Sequence, residues 1–230
     1  MADYATLVEL KAEINMTGAG DDATLTRLLT SGSRAIDRHC NRLDGFIALE
    51  DAEARYYPGT GFSWLRIDEC TEVTLVEVKD SPSDTTYTAW TSPSADYAGD
   101  GDWLLAKGAP GNPVFSRTPY DLLICDPNGT YAAFPSGRYT MSRANTPRNT
   151  AIKVPVAKIT AKWGFATTVP DQIKTACIMQ AARWYKRLQS SMADTLASGE
   201  LGQLLYTKKL DPDVAFILQE GRFVRPAIGI

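Results

Sequence analysis

Histidine is almost missing from this 230-residue chain: its single imidazole, His39, stands between Arg38 and Cys40 in a helical pattern. With one His and no G-x-S-x-G, a Ser–His–acid or Cys–His constellation has nothing to be built from, and His39 reads as an edge-of-core residue. Cysteine is sparse as well. Cys40, Cys70, Cys125 and Cys177 are scattered without C-x-x-C spacing, so no zinc or redox pattern forms, and Cys40 and Cys177 fall on apolar helical faces as small hydrophobes. No run reaches the ~18 apolar residues that span a bilayer. The opening MADYATLVELKAEINM carries acids where a secretory leader carries a basic region, so a reducing cytoplasm is expected. Net charge is small too, −3 with a pI near 5.3, which argues against a dedicated duplex-DNA binder with a basic footprint.

What the chain does have is 44% apolar and 22% charged residues, the balance of a globular protein and not of a disordered one. Thr6 and Glu9 form a capping box ahead of Leu7, Leu10 and Ile14, predicting a short first helix that ends at Thr17-Gly18-Ala19-Gly20. Asp21 or Asp22 then caps a second helix, with Leu25, Leu28, Leu29, Gly32, Ile36, Cys40 and Leu43 on its apolar face and Arg27, Arg34, Asp37, Arg38 and Arg42 mainly off it. Short strands are expected at 55–57, 64–67 and 73–78, the last buried on both faces, and at 153–163, where Pro155 marks an edge or a bulge. Val169-Pro170-Asp171 opens the longest helix, and Asp211-Pro212 a short final one carrying Val214, Phe216, Ile217 and Leu218.

Residues 81–150 hold eight of the 13 prolines and a heavy aromatic load, which predicts a loop-rich β insertion with Asn128-Gly129 as its best hairpin turn. The fold expected from these elements is α+β: a helical bundle core of two N-terminal helices plus the long C-terminal helix, with a small β-sheet and that insertion. Residues 1–80 and 151–200 would form the core, 81–150 the insertion, and 201–230 a C-terminal arm with a short helix.

Candidate chemistry is thin. Asp96, Asp100 and Asp102 lack the EF-hand register and its terminal Glu, and read as a solvated turn. Charge is polarised instead: residues 1–80 hold 8 basic against 15 acidic side chains, and 151–230 hold 11 against 6, a distribution suited to self-assembly or docking. Two binding readings also remain open. One is a nucleic-acid module on Lys153, Lys158, Lys162 and Trp163. The other is a glycan or small-ligand module on Trp90, Tyr97, Trp103, Tyr120 and Tyr131.

A series of short motifs keeps a recognisable order: Tyr4-Ala5-Thr6-Leu7-Val8-Glu9-Leu10-Lys11, Ala35-Ile36-Asp37-Arg38-His39-Cys40-Asn41-Arg42, Arg55-Tyr56-Tyr57-Pro58-Gly59, Trp64-Leu65-Arg66-Ile67 and Val73-Thr74-Leu75-Val76. Lys158 to Ala166 and Val169 to Arg187 follow, with Lys162-Trp163-Gly164-Phe165-Ala166 and Ala181-Ala182-Arg183-Trp184-Tyr185-Lys186-Arg187 as their most distinctive parts. This order, covering about half the chain, resembles the head–tail connector (adaptor) family of tailed bacteriophages. The resemblance implies a non-enzymatic structural protein of the virion neck, assembled in the bacterial cytoplasm, without catalytic residue, metal or cofactor and without a membrane partner. Its partners would be the portal protein, neighbouring copies in a twelvefold ring, a tail or stopper protein, and double-stranded DNA passing through the lumen without sequence-specific binding. Portal docking would fall to Arg222, Phe223, Val224, Arg225, Ile228 and Ile230, and subunit packing to Arg34, Arg38, Arg183, Lys186 and Arg187.

Overall fold

The computed structural model describes residues 2–42, 44–93, 100–115, 117–141, 150–189 and 210–225. The chain divides into two compact units, one formed by 1–47 with 168–230 and the other by 48–167.

The first unit is helical and is built from both ends of the chain. Helix α1 (Leu7–Glu13) starts at the expected capping box: the Glu9 N–H donates to Thr6 Oγ1, and the Thr6 N–H donates to Glu9 Oε2 at 2.8 Å. Helix α2 (Asp22–His39) buries Leu25, Leu28, Leu29, Gly32 and Ile36, as their spacing predicts. It also buries Ser33, and Asp37, which the sequence reading placed mainly off that face. Helix α3 (Asp171–Gln189) packs Ile173, Ala176, Cys177 and Ala181 inward, and α4 (Pro212–Glu220) is capped by Asp211.

The second unit is a sheet. Strands β1 (Glu53–Pro58), β2 (Trp64–Val78), β3 (Thr88–Ala89), β4 (Trp103–Ala109), β5 (Asn112–Val114), β6 (Tyr120–Cys125) and β9 (Pro155–Trp163) form one seven-stranded antiparallel sheet. Its order is β1-β9-β2-β6-β4-β5, with β3 on the end of β2. Strands β7 (Arg138–Met141) and β8 (Thr150–Lys153) make a separate two-stranded ribbon. The long β2 pairs β6 through its first half and β9 through its second. Irregularities near Cys70 and Val73 shift its register, so Val76 and Val78 face the core while Leu75 is exposed, and the strand is buried on one face only. Pro155 occupies the first position of β9, where the β1 register shifts.

This overturns the expected architecture. The structure is mostly sheet, not a helical bundle with an accessory sheet, and among the described residues no helix exceeds the 19 residues of α3. Residues 81–150 are not a loop-rich insertion in a helical core: β4 and β6 lie inside the sheet, paired with each other and with β2. The prolines there spare the ladder. Pro113 sits in the edge strand β5, Pro119 precedes β6 and Pro127 follows it. Nor does Asn128-Gly129 turn a hairpin. The Asn128 N–H donates to Asp126 Oδ1 and the Gly129 N–H to the Asp126 carbonyl, closing a local turn after β6.

Candidate docking surface

The first turn of the chain is tied into α2. The Tyr4 N–H donates to Ser33 Oγ at 3.1 Å, its hydroxyl donates to the Asp37 carboxylate, and the same oxygen accepts from the Phe46 N–H at 3.0 Å. Arg34 lies over the Tyr4 ring, 5.6 Å from its centroid, with Nε 3.3 Å from Asp37 and Nη2 donating to the Ala2 carbonyl at 2.9 Å. Burial holds the Asp37 carboxyl above the usual carboxylate range, opposed by the Tyr4 hydroxyl and the Arg34 and Arg38 charges. Gly45, at φ 81°, allows this close approach, since a Cβ there would sit 2.8 Å from the Tyr4 hydroxyl.

The last described residues return to the segment just after that helix. Phe223 is 6% exposed and meets Phe46 edge-on at 5.7 Å. Arg42, buried beneath it, donates from Nε to the Phe223 carbonyl at 2.9 Å; burial, with some help from the Arg225 charge, lowers its guanidinium to about 10. The Arg225 N–H donates to the Cys40 carbonyl and Asn41 donates to the Arg225 carbonyl, both at 3.0 Å. Of the residues assigned to portal docking, Phe223 is therefore part of this unit's own core, Arg222 is exposed, and Val224 and Arg225 are half-buried. Ile228 and Ile230 lie outside the described residues.

Among its described residues the helical unit carries a groove and a hollow at its surface. Thr30, Ser31, Arg34, Ala35 and Arg38 of α2, with Trp184 of α3, line a shallow groove of about 540 Å3. The other is a smaller apolar hollow of about 320 Å3 where the start of α3 meets α4, with Phe216 and Ile217 between Asp171 and Glu220. Phe216 is 64% exposed, because Val214 and Leu218 are one helical turn apart and buried while Phe216 points the other way. Trp184 and Asp171 are thirteen residues apart on α3, about 20 Å along its axis. Of the residues assigned to subunit packing, Arg34 and Arg38 meet in the groove and Lys186 is exposed. Arg183 is bound to Asp211, the cap of α4, and Arg187 is half-buried. The sequence reading gave neither Trp184, which is half-buried, nor Phe216, which is exposed, a place at the surface. The 100° wheel separates Phe216 from Val214 and could have found it.

Most described residues of the two binding readings are engaged within the sheet unit, whereas Lys153 is exposed on β8. Lys158 pairs with Glu77 at 2.7 Å and Lys162 with Glu72 at 2.9 Å. Trp163 is 1% exposed and donates its indole N–H to the Glu53 carbonyl at 2.7 Å. Trp90 stacks on Tyr131 at 4.5 Å and on Phe134 at 4.9 Å, and with Trp103 it belongs to the core. Tyr120 packs against that core from its margin, and Tyr97 lies outside the described residues. Asp102 accepts from the Thr91 and Thr130 N–H groups at 2.8 Å each, and Asp96 lies outside the described residues. Among the described residues no three His, Cys, Asp or Glu gather as metal ligands, and no helix is long and apolar enough to cross a membrane. Desolvation raises all four thiols, that of Cys40 to about 11. No protein-family model matches the chain, and no curated protein matches it.

Proposed function

We propose that this chain is a structural head–tail connector of a tailed bacteriophage, assembling head to tail into a ring beneath the portal through which DNA passes to the tail. Two things support the reading: the order of motifs running from Tyr4 to Arg187, and the pair of unlike surfaces on the helical unit. The pair is the observation that carries it. The groove carries two arginines and an indole, and the hollow carries Asp171 and Glu220 beside the exposed Phe216 ring, so the two are complementary in charge. Lying about 20 Å apart along one helix, the two cannot satisfy each other within a single copy. Contact between two different patches on identical chains is heterologous, and heterologous contacts close into rings when the rotation permits. Arg34 and Arg38 then serve as the subunit-packing residues on one side, with Phe216 inserted from the neighbour. Portal docking is assigned to the chain that follows the pinned Phe223–Arg225 segment.

The test is electron microscopy of the purified chain mixed with portal protein. Rings at the portal base are expected from the wild type. Phe216→Asp and Arg38→Glu should each cut ring formation at least tenfold while leaving the circular dichroism spectrum unchanged. If both variants form rings as well as the wild type, these surfaces are not the subunit contact. If the wild type shows no association with portal, the connector assignment fails.

A further inference from the structure

We infer that the β7–β8 ribbon of the sheet unit is a contact element for the phosphate backbone of duplex DNA. This goes beyond the connector reading and does not depend on it. From Pro127 to Pro170 the chain has no Asp or Glu and six basic residues: Arg138, Arg143, Arg148, Lys153, Lys158 and Lys162. Lys158 and Lys162 are neutralised by glutamates of β2, and Arg143 and Arg148 lie outside the described residues. Arg138 and Lys153 differ from the first pair. They are exposed, they stand directly opposite each other in the ribbon, and among the described residues neither has a carboxylate partner.

Like charges directly opposite on adjacent strands repel and destabilise the pair, and a two-stranded ribbon is marginal even without that cost. An anion bridging the two side chains removes the repulsion. The register also puts Tyr139 opposite Ile152 on the alternate face, 42% and 39% exposed, so neither of these two pairs is spent on a core.

The base of the ribbon is held firmly. The Gly137 N–H donates to the Gly59 carbonyl at 3.0 Å, and the Val154 N–H donates to the Gly137 carbonyl at 2.8 Å. Backbones approach so closely there that a Cβ on Gly137 would lie 2.5 Å from the Val154 carbonyl oxygen. A positively charged two-stranded ribbon on a fixed base suits a groove of B-DNA, since the major groove, about 12 Å wide, admits such a ribbon. Lys and Arg side chains supply the sequence-independent part of that contact by displacing counterions from phosphates.

Fluorescence anisotropy of the full chain with a labelled duplex of about 30 base pairs, titrated at several salt concentrations, tests this. Affinity should fall as salt rises and should not depend on base sequence. The double variant Arg138→Gln/Lys153→Gln should bind at least tenfold more weakly at low salt, with a log–log salt slope smaller by about two. Arg138→Glu/Lys153→Glu, with unchanged circular dichroism, should abolish binding, whereas Lys158→Gln should leave it as in the wild type. Undetectable binding of duplex by the wild type would overturn the inference. So would equal affinity of the Gln double variant, or tighter binding of polyglutamate than of duplex. A positive result without portal association, or the reverse, separates this inference from the connector assignment.

Discussion

In the helical unit the groups that lock the chain are polar and buried. Tyr4, Ser33 and Asp37 fasten the N-terminal end to α2, and Arg42 with Phe223 fastens the C-terminal end to the turn that follows that helix. In the sheet unit the charged pairs Arg55–Asp68, Arg66–Asp121 and Lys162–Glu72 are at the surface, and the interior is held mainly by aromatic stacking and by backbones in close contact at glycines, with the buried Asp102 tying the Thr91 and Thr130 N–H groups. The difference follows from what each unit has to join. Helices satisfy their own backbone bonds, so segments far apart in sequence are tied by side chains reaching carbonyls and carboxylates. A sheet joins distant segments through its ladder, which leaves shape complementarity as the remaining requirement. A buried acid such as Asp37 costs stability unless every lone pair is served, and therefore specifies one partner; an aromatic core tolerates more exchange.

That contrast is tested most severely at Gly59. A Cβ there would fall 1.8 Å from the Pro135 carbonyl oxygen and 2.6 Å from a Val156 methyl, with backbone on one side and no rotamer to relieve it. Gly59→Ala should cost about 5 kcal/mol, beyond ordinary overpacking. Hydrogen exchange read by mass spectrometry should show protection lost across β1, β2 and β9 and kept in α2 and α3. Equal loss in both sets of helices and strands would mean that the two units unfold as one.

Phe223→Ala probes the helical side and should be smaller, about 3–4 kcal/mol for a ring lost from a buried edge-on contact. Chemical denaturation gives the figure, and exchange should quicken just past the C-terminal end of α2, where Cys40, Asn41 and Arg42 hold the returning chain. Phe216→Ala, by comparison, removes an exposed ring and should leave the denaturation midpoint within the error of the wild type. If the two variants were equally destabilising, the division between an internal anchor and an external knob would be wrong.

Much of the helical unit was legible in the sequence because its signals are local. Thr6 with Glu9, Asp211 with Pro212, and Leu25, Leu28, Leu29 and Ile36 each declare themselves within a few residues. The sheet was underestimated because its pairings are not. Leu65 meets Leu123, Val76 meets Ile159, and nothing near either residue announces the partner. Proline density in 81–150 looked incompatible with a central sheet until Leu104–Ala106 and Leu122–Cys125 were seen to lie between the prolines. The aromatics read as ligand platforms have the same composition whether they face a ligand or a core, and Trp90 and Trp103 face the core. At the docking surface Arg34 and Arg38 were visible as a polar helix face. Asp37 was not visible as a buried acid, because Tyr4, the partner that defines it, is thirty-three residues away.

The gentlest test of the comparison is acid. Glu9 joins the α1 cap to α3: its carboxylate accepts from the Thr6 N–H, and its other oxygen pairs with Lys174 at 2.9 Å. The Thr6 N–H first, and the Lys174 ammonium after it, hold this carboxyl down at about 2 against an ordinary 4.5. A carboxyl depressed in the folded state makes the unfolded chain the better proton acceptor, so the stabilisation is complete above about 4.5 and drains away as pH falls toward 2. Melting curves recorded between pH 6 and pH 2 should therefore fall more steeply for the wild type than for Glu9→Gln, the two converging at the acid end. Parallel curves would show that the cap and the Lys174 pair add nothing. Curves that differ in the exchange of sheet peptides as strongly as in that of α1 and α3 would show that the helical unit's polar ties reach further than its own boundary.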